Sequence, residues 1–346
     1  MKSFAKINKL QKGDQVAVIS PSNGLPQIFP EVFELGLQRL RGEFGLVPKE
    51  YSTTRVMGAP LKDRVRDVMA AFADPENKAV FTSIGGNDQL KLLKYLDPEI
   101  IRQNPKPFIG FSDNTHIHNF LWNLGIPSYY GGAIMTQFGM QGEMDTLTID
   151  SIKKALFEGG SYEIKASDTY NDIGLDWGDA TSLSQRRHYE PNEGLFWDGS
   201  QSAKGILWGG CVESLIFQST TGKYLPTPEE LKGTILCIET AEDIPEPWLV
   251  EYLLAGFGER GWFDKFQAVL VGRPKAWEFN KQKSTEEKVA YRAAQRDAVL
   301  KTVREYNPTI PIVQNLDFGH TDPQILVPLG RSATIDPSKK TIIFEY

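Results

Sequence analysis

The chain has 346 residues, 40% hydrophobic and 24% charged, the balance of a soluble globular protein long enough for two domains and a core without disulfide or metal staples. A net charge of −6 excludes a basic nucleic-acid footprint, and two isolated cysteines, Cys211 and Cys237, exclude a disulfide scaffold or a Cys-rich zinc site. No window approaches the roughly 18 apolar residues of a membrane span. The opening stretch MKSFAKINKLQKGDQ lacks an apolar core of signal-peptide length, so the expectation is a cytoplasmic protein with no membrane or nucleic-acid partner.

In chain order, Val16–Ser20 is a short apolar, β-branched strand stopped by Pro21-Ser22-Asn23-Gly24. Helical spacing follows over 30–44 and 61–73. Ala79–Ile84 reads as a buried strand ended by Gly85-Gly86, and Asp88–Leu96 as an amphipathic helix. Pro107–Phe111 is a strand, Thr115–Leu124 a helix, Pro127–Tyr130 a further strand and Asp145–Glu158 a further helix. Strands alternating with helices of about 10–15 residues predict a parallel sheet covered on both faces.

Residues 161–203 break that rhythm. They are polar, yet hold Tyr162, Tyr170, Trp177, Tyr189, Phe196 and Trp197, too many aromatics for disorder, and read as a linker or a long functional loop. Beyond them, strands at 205–208, 234–239, 268–271 and 310–313 alternate with helices near 212–220, 247–258 and 285–305. Three short strands at 325–328, 333–335 and 341–344 suggest antiparallel or barrel-like pairing. The division is therefore 1–160, an N-terminal α/β domain; 161–203, the aromatic linker; and 204–346, a smaller β-rich domain.

Four stretches can carry chemistry. Gly110-Phe111-Ser112-Asp113-Asn114-Thr115 joins a strand to a helix, the setting of a nucleophile elbow, although Asn114 stands where a second glycine is usual. The same setting suits an ordinary helix cap. Ser83-Ile84-Gly85-Gly86-Asn87-Asp88 lets backbone N–H groups approach a ligand as an oxyanion hole or anion cradle, or forms a tight turn. Ile238-Glu239-Thr240-Ala241-Glu242-Asp243 ends a strand in carboxylates, one of which can orient a histidine or merely face solvent. Asp317-Phe318-Gly319-His320-Thr321-Asp322-Pro323 puts His320 in a turn-rich loop suited to proton transfer. His116 is placed to line the cleft after Ser112, and His188 lies in the basic run Arg186-Arg187-His188, facing solvent. No His-Glu-x-x-His, Cys pair or calcium loop occurs, so neither metal nor cofactor is expected. Asp172, Asp176 and Asp179 mimic a cation site but fit turn chemistry better.

PSNG, SIGGND, GFSDNT, IETAED and FGHTDP, in that order, make the chain resemble the LD-carboxypeptidase family of serine peptidases, which includes murein tetrapeptide carboxypeptidases and microcin C self-immunity proteins. The ETAED form and the aromatic linker look closer to the immunity branch. The resemblance implies a flavodoxin- or Rossmann-like parallel-sheet domain, a smaller β-rich C-terminal domain, an active site between them, and a homodimer. It implies Ser112 as nucleophile, His320 as general base, Glu239 as its orienting carboxylate, and the N–H groups of Gly86 and Asp113 as oxyanion hole. Gly85, Asn87, Trp177, Trp197 and Cys211 are the expected substrate contacts, with Cys211 standing where the family usually has asparagine. The implied substrate is a small peptide or an aminoacyl- or peptidyl-nucleotide. A murein tetrapeptide is the alternative, and a non-catalytic ligand-binding protein the alternative of another class.

Overall fold

The computed structural model describes residues 2–346. Five strands of the first half, β1 (Gln15–Ile19), β2 (Val47–Glu50), β3 (Asn77–Thr82), β4 (Phe108–Gly110) and β5 (Ser128–Tyr130), form a parallel sheet in the order β5-β4-β3-β1-β2. The reversal of order falls at β1, so the turns after β1 and β3 flank the crevice where open α/β sheets bind ligands. Val16, Val18, Ala79 and Phe81 bury on one face; Ala17, Ile19 and Val80 bury on the other, beneath Phe72, Ile117 and Leu121. Burial on both faces is why these strands read as continuous apolar runs.

The linker is largely built into the sheets. It supplies β6 (Ser161–Glu163), the two-residue ribbon β7 (Thr169–Tyr170) and β8 (Glu190–Pro191), and β9 (Phe196–Asp198). The second sheet has four central parallel strands: β10 (Ala203–Cys211), β11 (Thr234–Glu239), β12 (Phe266–Gly272) and β13 (Ile312–Leu316). One further strand, β14 (Val327–Leu329), returns to the first sheet and pairs antiparallel with β5. The last two, β15 (Ser332–Asp336) and β16 (Thr341–Glu345), run antiparallel to each other beside β10. The complete order is β6-β16-β15-β10-β11-β12-β13-β9.

The fold is thus α/β, with a parallel N-terminal sheet and a second, β-rich sheet. The second sheet is open, not a barrel, because β14 pairs with β5 and so leaves it. Two helices also differ from their periodicity. Gln89–Tyr95 winds as a tight 3₁₀ segment, and the helix Thr146–Lys153 widens into a π turn over Lys154–Glu158.

Candidate active site

Ser112 follows β4 after the single residue Phe111 and takes φ +63, in the left-handed region that costs a residue with a Cβ about 1–3 kcal/mol. Neither the short turn Ser112–Asn114 nor the helix Thr115–Asn123 has a side-chain cap, so capping does not account for the serine. The elbow is held from several sides. The Ser112 N–H donates to the Tyr130 hydroxyl at 3.0 Å, and Thr115 donates to the Ser112 carbonyl at 2.7 Å. Asn114 Nδ2 closes the turn onto the Phe111 carbonyl at 2.9 Å. Below it, buried His118 lies 2.8 Å from the Gly110 carbonyl and 2.7 Å from Ser128 Oγ.

The glycine turn after β3 lies against this elbow. A Cβ on Gly85 would stand 2.9 Å from Ser112 Cβ, so only glycine permits the approach. The Asp113 carboxylate staples both ligand-side turns: it accepts from the Ser22 hydroxyl and from the N–H groups of Asp88 and Gln89, at 3.1 and 3.0 Å. Arg64 adds a second tie, pairing with Asp88 at 2.7 Å and donating to the Pro21 carbonyl at 2.9 Å. Neither the Gly86 N–H nor the Asp113 N–H donates to another backbone carbonyl among the described residues outside regular elements.

Glu239 ends β11, and His320 lies in the loop after β13; the two parallel strands flank β12, so their carboxyl ends open on the same edge of the sheet and the loop after β13 reaches back across β12 to Glu239. His320 Nδ1 lies 2.7 Å from Glu239 Oε2, and the Tyr130 hydroxyl donates to Glu239 Oε1 at 2.5 Å. Gly319, at φ +99, lets the loop pass the carboxylate; a Cβ there would sit 2.8 Å from Glu239 Cβ. Phe111 meets the imidazole edge-on at 4.9 Å. On its other side, Nε2 lies 2.9 Å from Glu242 Oε2. Burial works against a charge on His320, but Glu239 and then Glu242 outweigh it and push the imidazole well above the ordinary histidine range.

These groups border a cavity of about 540 Å³. Gly85, Gly86, Phe111, Ser112, Glu242 and His320 line the end nearest the elbow. Phe29, Trp177 and Phe279 wall another part, with Trp177 edge-on to Phe29 at 5.6 Å. Arg187, from the linker, also borders it and is paired with Asp322 at 2.5 Å.

Several expected contacts lie elsewhere. Trp197 sits in β9 opposite Val313 and packs on the core, away from the cavity wall. Cys211 is buried at the end of β10, its thiol donating to Glu213 Oε2 at 3.1 Å, and Asn87 is exposed outside the wall. His116 does not line the cleft: its ring is buried, with Nε2 3.4 Å from Asp113 Oδ1. His188 is exposed. Asp172 is buried against Lys288 and Arg292, and Asp179 bonds the Thr181 N–H as a turn residue does. Tyr130, Glu242 and Arg187 drew no attention in the sequence as individual residues. Only the pairing of distant segments, 109 residues apart for Tyr130 and Glu239, brings out their partners.

Two family models match the chain: the LD-carboxypeptidase N-terminal domain over residues 16–131 and the LD-carboxypeptidase C-terminal domain over 204–335. A putative carboxypeptidase of Treponema pallidum is 29% identical over 343 residues, covering 96% of this chain and 93% of its own. The microcin C7 self-immunity protein of Escherichia coli is 26% identical over 343 residues, covering 96% and 93%. Among solved structures, the MccF-like protein from Streptococcus pneumoniae in complex with AMP superposes with a TM-score of 0.84 at 28% identity, covering 96% of this chain and 99% of that one.

Proposed function

Because the chain belongs to the LD-carboxypeptidase family of peptidases, we propose that it is a serine hydrolase of aminoacyl- or peptidyl-nucleotides, cleaving the amide-type bond at the acyl carbonyl. One observation carries the reading: an elbow serine at φ +63 borders the same cavity as a histidine whose Nδ1 is held by a buried carboxylate. In this reading His320 Nε2 takes the Ser112 proton as the hydroxyl oxygen attacks the carbonyl. Glu239 keeps Nδ1–H fixed and stabilises the positive ring. The N–H groups of Gly86 and Asp113 receive the oxyanion. His320 then gives the proton to the leaving nitrogen, and water clears the acyl group from Ser112 by the same steps in reverse.

The nucleotide end is supported by the aromatic wall. Base–aromatic stacking contributes about 1–3 kcal/mol per base, and Trp177, with Phe29 and Phe279, offers ring surface within the cavity. The AMP carried by the Streptococcus pneumoniae relative is consistent with that end.

The test assays wild type and Ser112→Ala against a panel of aminoacyl sulfamoyl adenosines and a murein tetrapeptide. We expect turnover of the nucleoside panel by wild type and its loss in Ser112→Ala. Release of D-alanine from the tetrapeptide with no nucleoside turnover would replace the substrate class. Equal rates for the two proteins would overturn the serine mechanism.

A further inference from the structure

The Nε2 atom that has to accept the serine proton is already engaged. Glu242 Oε2 holds it at 2.9 Å, while Glu239 holds Nδ1 at 2.7 Å. A ring gripped by a carboxylate at each nitrogen keeps both protons and is no base. Glu242 therefore has to change partner before Ser112 is activated.

Its position suits a change of partner. The Glu242 side chain is half-exposed and borders the cavity, whereas that of Glu239 is fully buried. Its backbone lies in the loop after β11, where Ile244 takes φ +51. A β-branched residue in that region is a steric outlier, and such strain marks segments held against an alternative. The loop is anchored on both sides of the strain. Ala241 N–H donates to Glu213 at 3.1 Å, and Tyr291 and Gln295 donate to the Pro245 carbonyl at 2.9 and 2.6 Å.

The surroundings say what the new partner must be. Around the His320–Glu242 pair stand Glu239 from β11, Tyr130 from β5, and Glu213 and Cys211 from the start of the following helix and the end of β10. Lys275 and Glu278 come from the segment after β12. Lys275 is engaged by Glu278 at 2.6 Å. Arg187, which borders the same cavity, is engaged by Asp322. Among the described residues both cations of the cavity wall are therefore already paired, and an unpaired carboxylate in a cleft costs more than a paired one. An acyl group attacked by Ser112 carries any α-amine one carbon from the carbonyl, on the reacting side of the cavity.

We propose that Glu242 is a specificity residue that exchanges the His320 Nε2–H for the α-ammonium of a bound aminoacyl substrate, so that an aminoacyl substrate itself frees the general base and is preferred to one with an acylated amine. The proposal rests on the reading of Ser112 as nucleophile and His320 as base. The proton balance is explicit. The ammonium arrives charged, pairs with Glu242, and His320 releases its Nε2 proton to solvent, one proton per substrate bound. A substrate whose amine is acylated, as in a peptidyl-nucleotide, offers no cation; Glu242 then leaves His320 only for solvent, which its half-exposed side chain can reach, and such a substrate binds more weakly.

The test is a binding measurement on Ser112→Ala, which separates it from turnover. Aspartyl sulfamoyl adenosine and its N-acetyl derivative are titrated by calorimetry in buffers of different ionisation enthalpy. We expect the free amine to bind at least about tenfold tighter, with release of close to one proton, and Ser112→Ala/Glu242→Gln to lose both the preference and the release. In the otherwise wild-type enzyme, Glu242→Gln removes one of the two carboxylates that raise His320, so the acidic limb of kcat/KM moves to lower pH. Equal binding of the two ligands, no binding of either, or a preference unchanged by Glu242→Gln would overturn the proposal. The serine mechanism has its own failure mark, which is retained turnover in Ser112→Ala.

Discussion

Ser112 keeps φ +63 because its neighbours leave it no other place: Tyr130 takes its N–H, Thr115 its carbonyl, and Gly85 crowds its Cβ. Tyr130 is the residue in which the two halves of the site meet. Its hydroxyl accepts from Ser112 N–H and donates to Glu239 Oε1, and burial first, then Glu239, push its phenol well above the usual range, so it stays neutral and able to donate. Loss of this buried hydroxyl leaves two polar groups unsatisfied, at about 1–3 kcal/mol. Tyr130→Phe is accordingly expected to lower kcat about 10–100-fold with KM changed little, the mark of a positioning residue. Steady-state kinetics beside a melting curve check this; a rise in KM with kcat intact would place Tyr130 in binding instead. None of this was legible in the sequence, where Tyr130 is one apolar-looking position in a strand. Residue type and strand-end context pointed to the stretches that hold Ser112, Glu239 and His320, and the family resemblance picked out the three residues within them; the structure brings all three to one region. It also separates Trp177, which borders the cavity, from Trp197, which composition had treated alike.

At the scale of elements, the site is built from turns at the carboxyl ends of strands. The turns after β1, β3 and β4 come from the first sheet, and those after β11 and β13 from the second. The alternation of strands and helices made that arrangement readable, because turns between buried strands and helices fall at sheet edges. The return of β14 to the first sheet was not readable, since a three-residue buried strand carries no mark of its partner. The close approach of the turn after β3 gives a sharp expectation. Gly85→Ala puts a methyl against Ser112 and is expected to cut kcat/KM at least about 100-fold, because a displacement near 1 Å costs that much. Circular dichroism and a melting curve should show the fold retained; full activity would mean that the elbow tolerates displacement. The linker offers a second test. Trp177→Ala is expected to raise KM for aminoacyl adenylate analogues about 5-fold or more, in keeping with the loss of one stacking surface, and to leave small amides unaffected. An unchanged ratio of the two KM values removes stacking from the account.

Over the whole molecule, the linker acts as a strap that ties the cavity wall to the second sheet. Its Asn171 exchanges backbone hydrogen bonds with Asp322 at 2.7 and 2.8 Å, and its Asp172 is buried against Lys288 and Arg292 of the long helix Thr285–Tyr306. Arg273 and Arg292 lie over the Tyr170 ring at 4.8 and 4.9 Å. Polarity along residues 161–203 suggested a loop because these charges are paired only in three dimensions. Lys288 also pairs with Glu190 at 2.9 Å, so Lys288→Met leaves Asp172 with Arg292 as its one cation and Glu190 with no ion-pair partner among the described residues. It is expected to destabilise the fold by about 3–5 kcal/mol, the cost of breaking a buried pair; chemical denaturation measures it, and a change below about 1 kcal/mol would mean that Arg292 and the strands hold the strap without it. The central claim is that one serine, placed by the first sheet, is acylated with help from a histidine placed by the second. Rapid-quench intact-mass analysis on an aminoacyl sulfamoyl adenosine tests it most directly. The account predicts a transient mass gain of one aminoacyl group, mapped to the peptide containing Ser112 and absent in Ser112→Ala. Turnover at the wild-type rate in Ser112→Ala, or an adduct on another residue, would contradict it.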